Sequence, residues 1–321
     1  MQWSLQGDYL LVTSWDYTNG TDGGFVYIFK KDVNDTFTQI DKITADDIDI
    51  GGYSIGDGFG ASVSMSGDYI LVGSYREDAN TSNSGAAYVF KNDGSDNFTQ
   101  IAKLKSTAPA NTDHFGSKVS IEGAYAFVGS TFDDTHGTDS GNVYAYKNDG
   151  SDNFIPIGQV YSTDIAAGDN FGYSMTLENG YLVVGAYNHD TNGVSGSGAA
   201  YVFKNDGSDN FIQVSKLFSE DSLTINGNFG FSVSIDDNYI VVGASRYSYN
   251  PGNWSTGATF IYKNDGTDNF NQVNALYPTP LVSSAYFGYS VGIDDDTLIV
   301  GAALENSNRG AGYLQRFIWT S

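Results

Sequence analysis

Phe-Gly pairs recur along this chain of 321 residues at a nearly constant interval. The five pairs are Phe59-Gly60, Phe115-Gly116, Phe171-Gly172, Phe229-Gly230 and Phe287-Gly288, and the steps between them are 56, 56, 58 and 58 residues. A period of this length means that one supersecondary unit is copied several times and shares its core with its neighbours. The repeat therefore constrains the fold more than chain length does, since length alone would suggest about two domains.

The unit that begins at the first pair reads as four strands. Phe59–Met65 alternates between apolar and small polar side chains, as a half-buried strand does. Tyr69–Gly73 is apolar on both faces, which predicts a strand covered on both sides. Gly85–Phe90 and Phe98–Leu104 follow, separated by the turn Asn92–Asn97, whose Asn, Asp and Gly residues tolerate positive φ. No helical apolar period interrupts this order.

The same order of strands returns in every unit. The third strand, for example, is predicted again at Gly24–Phe29, Gly141–Tyr146, Gly198–Phe203, Gly257–Tyr262 and Gly312–Phe317. Repeated four-stranded antiparallel units predict an all-β protein, a β-propeller of about six blades in a single domain over residues 1–321. The predicted units are residues 1–56, 57–112, 113–168, 169–226, 227–284 and 285–321.

The two ends of the repeat array depart from the pattern. The first unit lacks a Phe-Gly pair, and the last has no counterpart of the fourth strand Phe98–Leu104. We therefore expect the first and last blades to be incomplete. A seven-bladed propeller in a longer natural chain is the alternative.

Composition excludes several classes of partner. The formal net charge is −23, which repels phosphate backbones and anionic lipid surfaces, so we expect no nucleic-acid binding. The sequence has no run of 18 apolar residues, so we expect no membrane insertion. The chain has no cysteine, which excludes disulfides and thiolate metal sites. We expect an extracellular or cell-surface protein. Because the N-terminus has neither a basic nor an apolar signal segment, the signal sequence of such a protein is not part of this chain.

The repeated unit resembles the FG-GAP repeat of integrin alpha-subunit propellers and of many microbial surface proteins. The resemblance rests on Phe-Gly-x-Ser-Val-Ser, on Gly-Asp-Tyr-Ile-Leu-Val-Gly and on Gly-Ala-Ala-Tyr-Val-Phe. It implies a propeller that serves in adhesion or recognition. Integrin-type units carry an Asp-x-Asp-x-Asp-Gly calcium loop after the first strand, whereas here that hairpin is as short as Ser66-Gly67-Asp68. Calcium needs six to eight oxygens, so the integrin calcium site does not carry over.

The long loops between second and third strands are the best candidates for a binding site, because they lie on the same face as the connections between units. They place aromatic rings beside acids and amides, a combination that suits a sugar or a peptide. The candidate ligand-binding residues are Trp15, Tyr17, Tyr75, Phe132, Tyr187, Tyr247 and Trp254. The alternative is that these rings only cap the blades.

Acidic residues of the same loops could hold Ca²⁺, which is the one candidate cofactor. They are Asp16, Asp22, Asp78, Asp133, Asp134, Asp139 and Asp190. The alternative is that they brace turns by accepting backbone hydrogen bonds. The repeated Asn-Asp-Gly-Ser-Asp-Asn turns also suggest calcium, but hairpins need Asp-Gly for their geometry, and a lysine before each turn (Lys91, for example) is expected to neutralise its acids.

The pattern favours recognition over catalysis. Only three histidines occur, His114, His136 and His189, and no nucleophile or orienting acid is paired with them in the sequence. We therefore predict no catalytic residues and a non-enzymatic function, with a glycan or an extracellular or cell-surface protein as partner. A structural module that spaces or displays other domains is the alternative, and a polysaccharide-active hydrolase or lyase is the least favoured class.

Overall fold

The computed structural model describes residues 2–14, 24–47, 57–220, 224–248, 255–295, 297–304 and 310–316. These residues form six antiparallel sheets in which neighbouring strands follow one another in sequence. The chain divides into two compact units, residues 1–160 and 161–321, with three sheets in each. The only helical element in the described residues is a single 3₁₀ turn at Thr191–Gly193, so none of them forms a helix able to cross a membrane.

The first unit contains sheets 1 to 3. Sheet 1 is β1 (Trp3–Gln6), β2 (Tyr9–Ser14), β3 (Phe25–Lys31) and β4 (Phe37–Ile43); sheet 2 is β5 (Phe59–Ser66), β6 (Tyr69–Ser74), β7 (Ala86–Asn92) and β8 (Phe98–Leu104); sheet 3 is β9 (Phe115–Glu122), β10 (Tyr125–Ser130), β11 (Asn142–Asn148) and β12 (Phe154–Val160).

The second unit contains sheets 4 to 6. Sheet 4 is β13 (Ser174–Glu178), β14 (Tyr181–Ala186), β15 (Ala199–Asn205) and β16 (Phe211–Leu217); sheet 5 is β17 (Phe229–Asp236), β18 (Tyr239–Ala244), β19 (Ala258–Asn264) and β20 (Phe270–Leu276); sheet 6 is β21 (Phe287–Asp294), β22 (Thr297–Ala302) and β23 (Ala311–Arg316).

These sheets are blades, and the fold class is an all-β, six-bladed β-propeller with mostly four-stranded blades and a three-stranded last blade. The prediction from the repeat is confirmed in blade number, in strand order and in the missing strand of sheet 6.

Two details of the prediction were wrong. Sheet 1 has four strands in the described residues, so it is complete, and the last third strand begins at Ala311 rather than Gly312. The register Ala302↔Ala311 matches Ala244↔Ala258, which makes Gly310 the counterpart of Gly257.

Second strands form the centre of each core, as their two-sided apolar pattern predicts. Ile70, Leu71 and Val72 on β6 are all fully buried. Ile70 and Val72 pack toward sheet 1, and Leu71 packs with Val119 of sheet 3. Each such aliphatic side chain stabilises the fold by about 1.5–3 kcal/mol relative to its exposed state.

The Phe-Gly pairs join consecutive sheets. Phe59 is fully buried, its ring meets Tyr88 edge-on at 5.6 Å, and it belongs to a core shared with sheet 1. Gly116 has φ of +92°, a conformation that favours glycine. Its carbonyl oxygen would lie 2.0 Å from a Cβ added to Gly73 of the preceding sheet. Glycine is therefore required on both sides of the contact.

A second contact between sheets uses the second aspartate of hairpin turns between third and fourth strands. Asp152, in the β11–β12 turn, accepts hydrogen bonds from Tyr69 and, at 2.8 Å, from the Lys91 ammonium of the preceding sheet. The same arrangement joins Asp96 with Tyr9 and Lys30, and Asp268 with Tyr181 and Lys204. The expectation that each lysine neutralises its own turn was wrong, because Lys91 pairs with the turn of the next sheet.

Candidate functional site

Loops between second and third strands meet the connections between sheets on one face, as the antiparallel topology predicts. The backbone N–H of Arg76 in the β6–β7 loop donates to the carbonyl of Asp57 in the preceding connection at 3.0 Å, and that of Asn188 donates to Asp169 at 3.4 Å. We call this the loop face of each unit. Trp15, Asp16, Tyr17, Asp22 and Trp254, five of the candidate residues, lie outside the described residues.

Carboxylates of the described loops brace their own backbone. Asp78 accepts from the N–H of Asn83 at 2.7 Å, Asp134 from that of Asp139 at 2.8 Å, and Asp190 from that of Gly196 at 2.8 Å. Asp133 is buried and accepts from the Tyr144 hydroxyl at 2.6 Å. The described ranges hold no cluster of three or more His, Asp or Glu side chains placed to share a cation. Backbone groups of their own loops therefore engage Asp78, Asp134 and Asp190, and the Tyr144 hydroxyl engages Asp133.

Two candidate aromatic residues of the first unit lie on opposite sides of a histidine. Tyr75 and Phe132 each meet the ring of His114 edge-on at 5.0 Å, and the Arg76 guanidinium lies 5.0 Å from the Tyr75 ring. Tyr75, His114 and Phe132 form what we call the first aromatic row. Burial lowers the pKa of His114, and the nearby Arg76 charge lowers it further. Phe132 is 38% exposed at the end of this row.

A longer row lies on the second unit. The ring of Tyr187 is 4.4 Å from that of Tyr173, Tyr173 is 5.0 Å from Phe231, and Phe231 is 4.9 Å from Tyr289. We call these four residues the second aromatic row. Tyr173, Tyr187 and Phe231 are half-buried, whereas Tyr289 is 49% exposed. The row is thus anchored at one end and open to a ligand at the other.

Sequence reasoning missed three members of the second row. Tyr173, Phe231 and Tyr289 each stand two residues after the phenylalanine of a Phe-Gly pair, while the first unit has Ala61 and Ser117 at that position. An aromatic residue there was a readable signal. That position lies near the start of a first strand, outside the variable loops on which the sequence-based prediction of binding residues rested.

Tyr247 does not lie where the loop pattern placed it. Its ring packs against Phe260 at 5.4 Å and Tyr277 at 6.0 Å, and only 4% of the residue is exposed. It belongs to the core between sheets 4 and 5. Tyr247 therefore presents no surface to a ligand.

Polar clusters occupy the position equivalent to Tyr247 in two other sheets. In sheet 2, Lys103 donates to Glu77 at 2.8 Å and to Asp47 at 2.6 Å. Burial raises the pKa of Glu77 to about 7, against the opposing hydrogen bond from Lys103. Neighbouring Asp57 acts in the same direction as burial.

The cluster in sheet 4 contains a histidine. His189 lies 2.7 Å from Asp169 through Nδ1 and 2.9 Å from the Lys216 ammonium through Nε2. Lys216 also donates to Asp164 at 2.5 Å. Burial alone would raise the pKa of Asp164, but the hydrogen bonds from Lys216 and Ser162 outweigh it and lower that pKa to about 2.

A polar depression of about 540 Å³ opens beside this cluster and is lined by Asp164, Asp169, Asn188 and His189 among others. The Lys216 ammonium already forms hydrogen bonds with Asp164 and His189. Both ring nitrogens of His189 have partners, namely Asp169 at Nδ1 and Lys216 at Nε2. The cluster presents no nucleophile next to a free base. What the loop face offers chemically is a set of flat apolar rings beside amides and acids.

Comparison with protein families identifies the repeat. Five segments match the model described as FG-GAP repeat, at residues 37–90, 98–146, 158–203, 211–262 and 270–314. No curated protein matches the chain. The five segments cover more than half of the sequence, and each runs from a fourth strand through the first three strands of the next sheet.

Proposed function

Because the chain belongs to the FG-GAP repeat family, whose fold is often found in adhesion and recognition proteins, we propose that it is a non-catalytic recognition module. It acts outside the cell or at the cell surface and binds a glycan or a surface protein through the loop face. The second aromatic row, Tyr187–Tyr173–Phe231–Tyr289, is the observation that carries this proposal.

Four rings in one row suit an extended ligand with apolar patches, such as an oligosaccharide chain. Sugar rings stack on aromatic faces while their hydroxyls bond to nearby polar groups. Tyrosine also contributes a hydroxyl, and Asn188 lies next to Tyr187 in the chain. Ca²⁺, if it assists, would bind with the ligand, because the acids described in the loops already brace backbone groups.

The proposal is tested by screening the protein on glycan arrays and against surface proteins, with and without Ca²⁺, and by calorimetry on any ligand found. Tyr289→Ala removes the exposed end of the row and should weaken binding by about tenfold or more, as truncation of an aromatic anchor does. Ile212→Ala is the control, since Ile212 is also an exposed apolar residue of the second unit, at 56%, and lies on β16 beside the β15–β16 turn rather than on the loop face. Equal loss in both variants, or no ligand in any condition, would argue against the proposal.

A spacer that only displays other domains is the second candidate. It is favoured by the observation that the loop acids are engaged within their own loops. The two functions differ in one readout. A spacer predicts that replacing Trp15, Tyr75 and Tyr187 together leaves cell attachment unchanged, whereas a recognition module loses it.

A further inference from the structure

Arginine is rare in this chain and is used differently from lysine. The sequence contains four arginines and eleven lysines. Ion pairs among the described residues use a lysine or His189 as the cation, as Lys91 does with Asp152. Arg76 and Arg246, in contrast, have no carboxylate partner within the described ranges. Two guanidinium groups are therefore not used for ion pairs, although the chain has 38 acidic residues.

Both arginines occupy the same position of the repeat, on the loop face of their own unit. Arg76 stands two residues after the end of β6, and Arg246 stands two residues after the end of β18. Arg76 is half-buried, and its guanidinium lies 5.0 Å from the ring of Tyr75, the first member of the first aromatic row. An arginine thus adjoins the aromatic row of the first unit.

Arg246 has the same relation to the second aromatic row. Its backbone N–H donates to the carbonyl of Gly227 at 3.2 Å, and the side chain of the next residue, Asn228, donates to the carbonyl of Tyr187 at 3.3 Å. Burial raises the pKa of Tyr187, and the positive charge of Arg246 opposes that shift. Arg246 is itself exposed. Each unit therefore combines flat rings with one guanidinium that a ligand can reach.

The first row also contains a residue that its backbone disfavours. His114, directly before a Phe-Gly pair, has φ of +57°. Gly58, Asn170 and Asn228 hold the same position at positive φ, which glycine and asparagine adopt readily, whereas a histidine there costs stability, as does Tyr286. Strain of this kind is concentrated at functional sites. The ring in the middle of the first row is therefore retained against the local backbone preference.

We propose that the loop face selects oligosaccharides that carry a carboxylate on one sugar, and that Arg76 and Arg246 bind this carboxylate beside the aromatic rows. The inference rests on the proposed function and names its ligand class. A guanidinium presents parallel N–H groups to both oxygens of a carboxylate. The adjoining tyrosine ring receives the apolar face of the same sugar.

The net charge of −23 limits this ligand to sparse acids. At physiological salt, charges more than about 8 Å apart are largely screened, whereas a direct contact is screened much less. One uronic acid in an otherwise neutral chain meets only the arginine. A polyanion would extend over surrounding acids, such as Asp139 near His114, and would be repelled.

The test is a glycan array printed with matched pairs. One member of each pair is a neutral oligosaccharide of xylose, galactose or glucose that carries a single uronic acid, and the other is the same molecule after reduction of its carboxyl group to an alcohol. In 150 mM NaCl with EDTA, we expect the acidic member to bind at least about tenfold more tightly, because only it forms the charge-assisted pair. Calorimetry on the strongest pair gives the affinities.

The array separates this inference from the proposed function. Equal binding of acidic and reduced members would overturn the inference and leave glycan recognition standing. Binding to no glycan would count against both. A preference for the acid that disappears in EDTA and returns with Ca²⁺ would assign the carboxylate to a bound cation and overturn the role of the arginines.

Arginine variants test the assigned residues. Arg76→Gln combined with Arg246→Gln should lower the affinity for the acidic member to that of the reduced member and leave the reduced member unaffected. Arg76→Lys combined with Arg246→Lys keeps both charges but not the two-pronged geometry, so its preference for the acid should be intermediate. An equal loss for both members would show that the arginines only support the tyrosine rings and would overturn the proposal.

Arg316→Gln is the matched control for charge. Arg316 is exposed on β23 and pairs in register with Thr297, next to the β21–β22 hairpin and away from the loop face. This variant makes the same change in net charge and should keep the full preference for the acid. A loss as large as that of the double glutamine variant would show a general charge effect and would overturn the assignment.

Discussion

Glu77 is a buried carboxylate in the β6–β7 loop of sheet 2, and its pKa departs strongly from the ordinary value. Its carboxylate shares Lys103 with Asp47, and the nearby Asp57 adds a third negative charge. Burial of the Glu77 carboxylate outweighs its hydrogen bond from Lys103, and the neighbouring Asp57 disfavours the charged form further, so a proton is retained and the pKa of Glu77 rises to about 7.

This pKa predicts a stability that falls as pH rises. The folded-state pKa of about 7 exceeds the ordinary value of 4.5, so the folded protein binds more protons than the unfolded chain between these values. The free energy of unfolding should therefore decrease between about pH 4.5 and 7. Glu77→Gln removes the titration and keeps a hydrogen-bonding group for Lys103. It should match the wild type near pH 5 and exceed it by about 2–3 kcal/mol at pH 8.

Urea unfolding of both proteins from pH 5 to 8 measures this difference. Glu220→Gln, which changes an exposed glutamate, is the control and should follow the wild-type profile. Parallel profiles for wild type and Glu77→Gln would contradict the prediction.

Turns between third and fourth strands connect one sheet to the next, besides closing their own hairpins. Asp268 sits at φ of +67° and receives both Tyr181 and Lys204 of the preceding sheet. The first acid of the same turn, Asp265, instead accepts from Thr267 within the turn. The two acids of one motif therefore have different roles, one across sheets and one local.

Removing the charge of Asp268 should loosen sheet 4 from sheet 5. Asp268→Asn keeps a side chain that tolerates positive φ but weakens the bonds from Tyr181 and Lys204. The expected loss in free energy of unfolding is about 1 kcal/mol. This is less than the loss expected for a buried ion pair, because the side chains of Lys204 and Asp268 are both partly exposed to solvent.

A double-mutant cycle with Lys204→Met isolates the pair. The coupling should be positive at low salt and shrink in 1 M NaCl, because exposed charges are screened. Zero coupling at every salt concentration would contradict a joint between the sheets.

Strand positions could be predicted from alternation, because a side chain's face depends only on its own strand. Contacts between sheets could not, because the sequence does not show which residues of separate repeats meet. That is why Lys91 was assigned to its own turn and why Tyr247 was placed on the surface. It is also why His114 was not connected with Tyr75 and Phe132, although all three lie on the loop face.

The whole chain carries 38 acidic and 15 basic residues, and this imbalance acts on every sheet at once. Contacts such as Lys91–Asp152 place lysines against acids. The 15 basic residues are nevertheless too few to pair one-to-one with 38 acids. Like charges on a compact molecule repel one another more than on an unfolded chain. Salt therefore has two opposing effects, since it weakens the few ion pairs and screens the many repulsions.

Because acids outnumber bases so strongly, we expect screening of repulsion to dominate. Raising NaCl from 10 to 150 mM should raise the thermal midpoint by about 2 °C, for a gain in the free energy of unfolding on the order of 1 kcal/mol.

Thermal midpoints measured with divalent cations separate charge screening from a calcium site. If Ca²⁺ acts only on overall charge, Ca²⁺ and Mg²⁺ at equal ionic strength should shift the midpoint equally. A larger shift with micromolar Ca²⁺ would show a specific site, and Asp16→Asn with Asp22→Asn would then test the first long loop. A midpoint that falls with NaCl would mean that the joints between sheets outweigh the net charge.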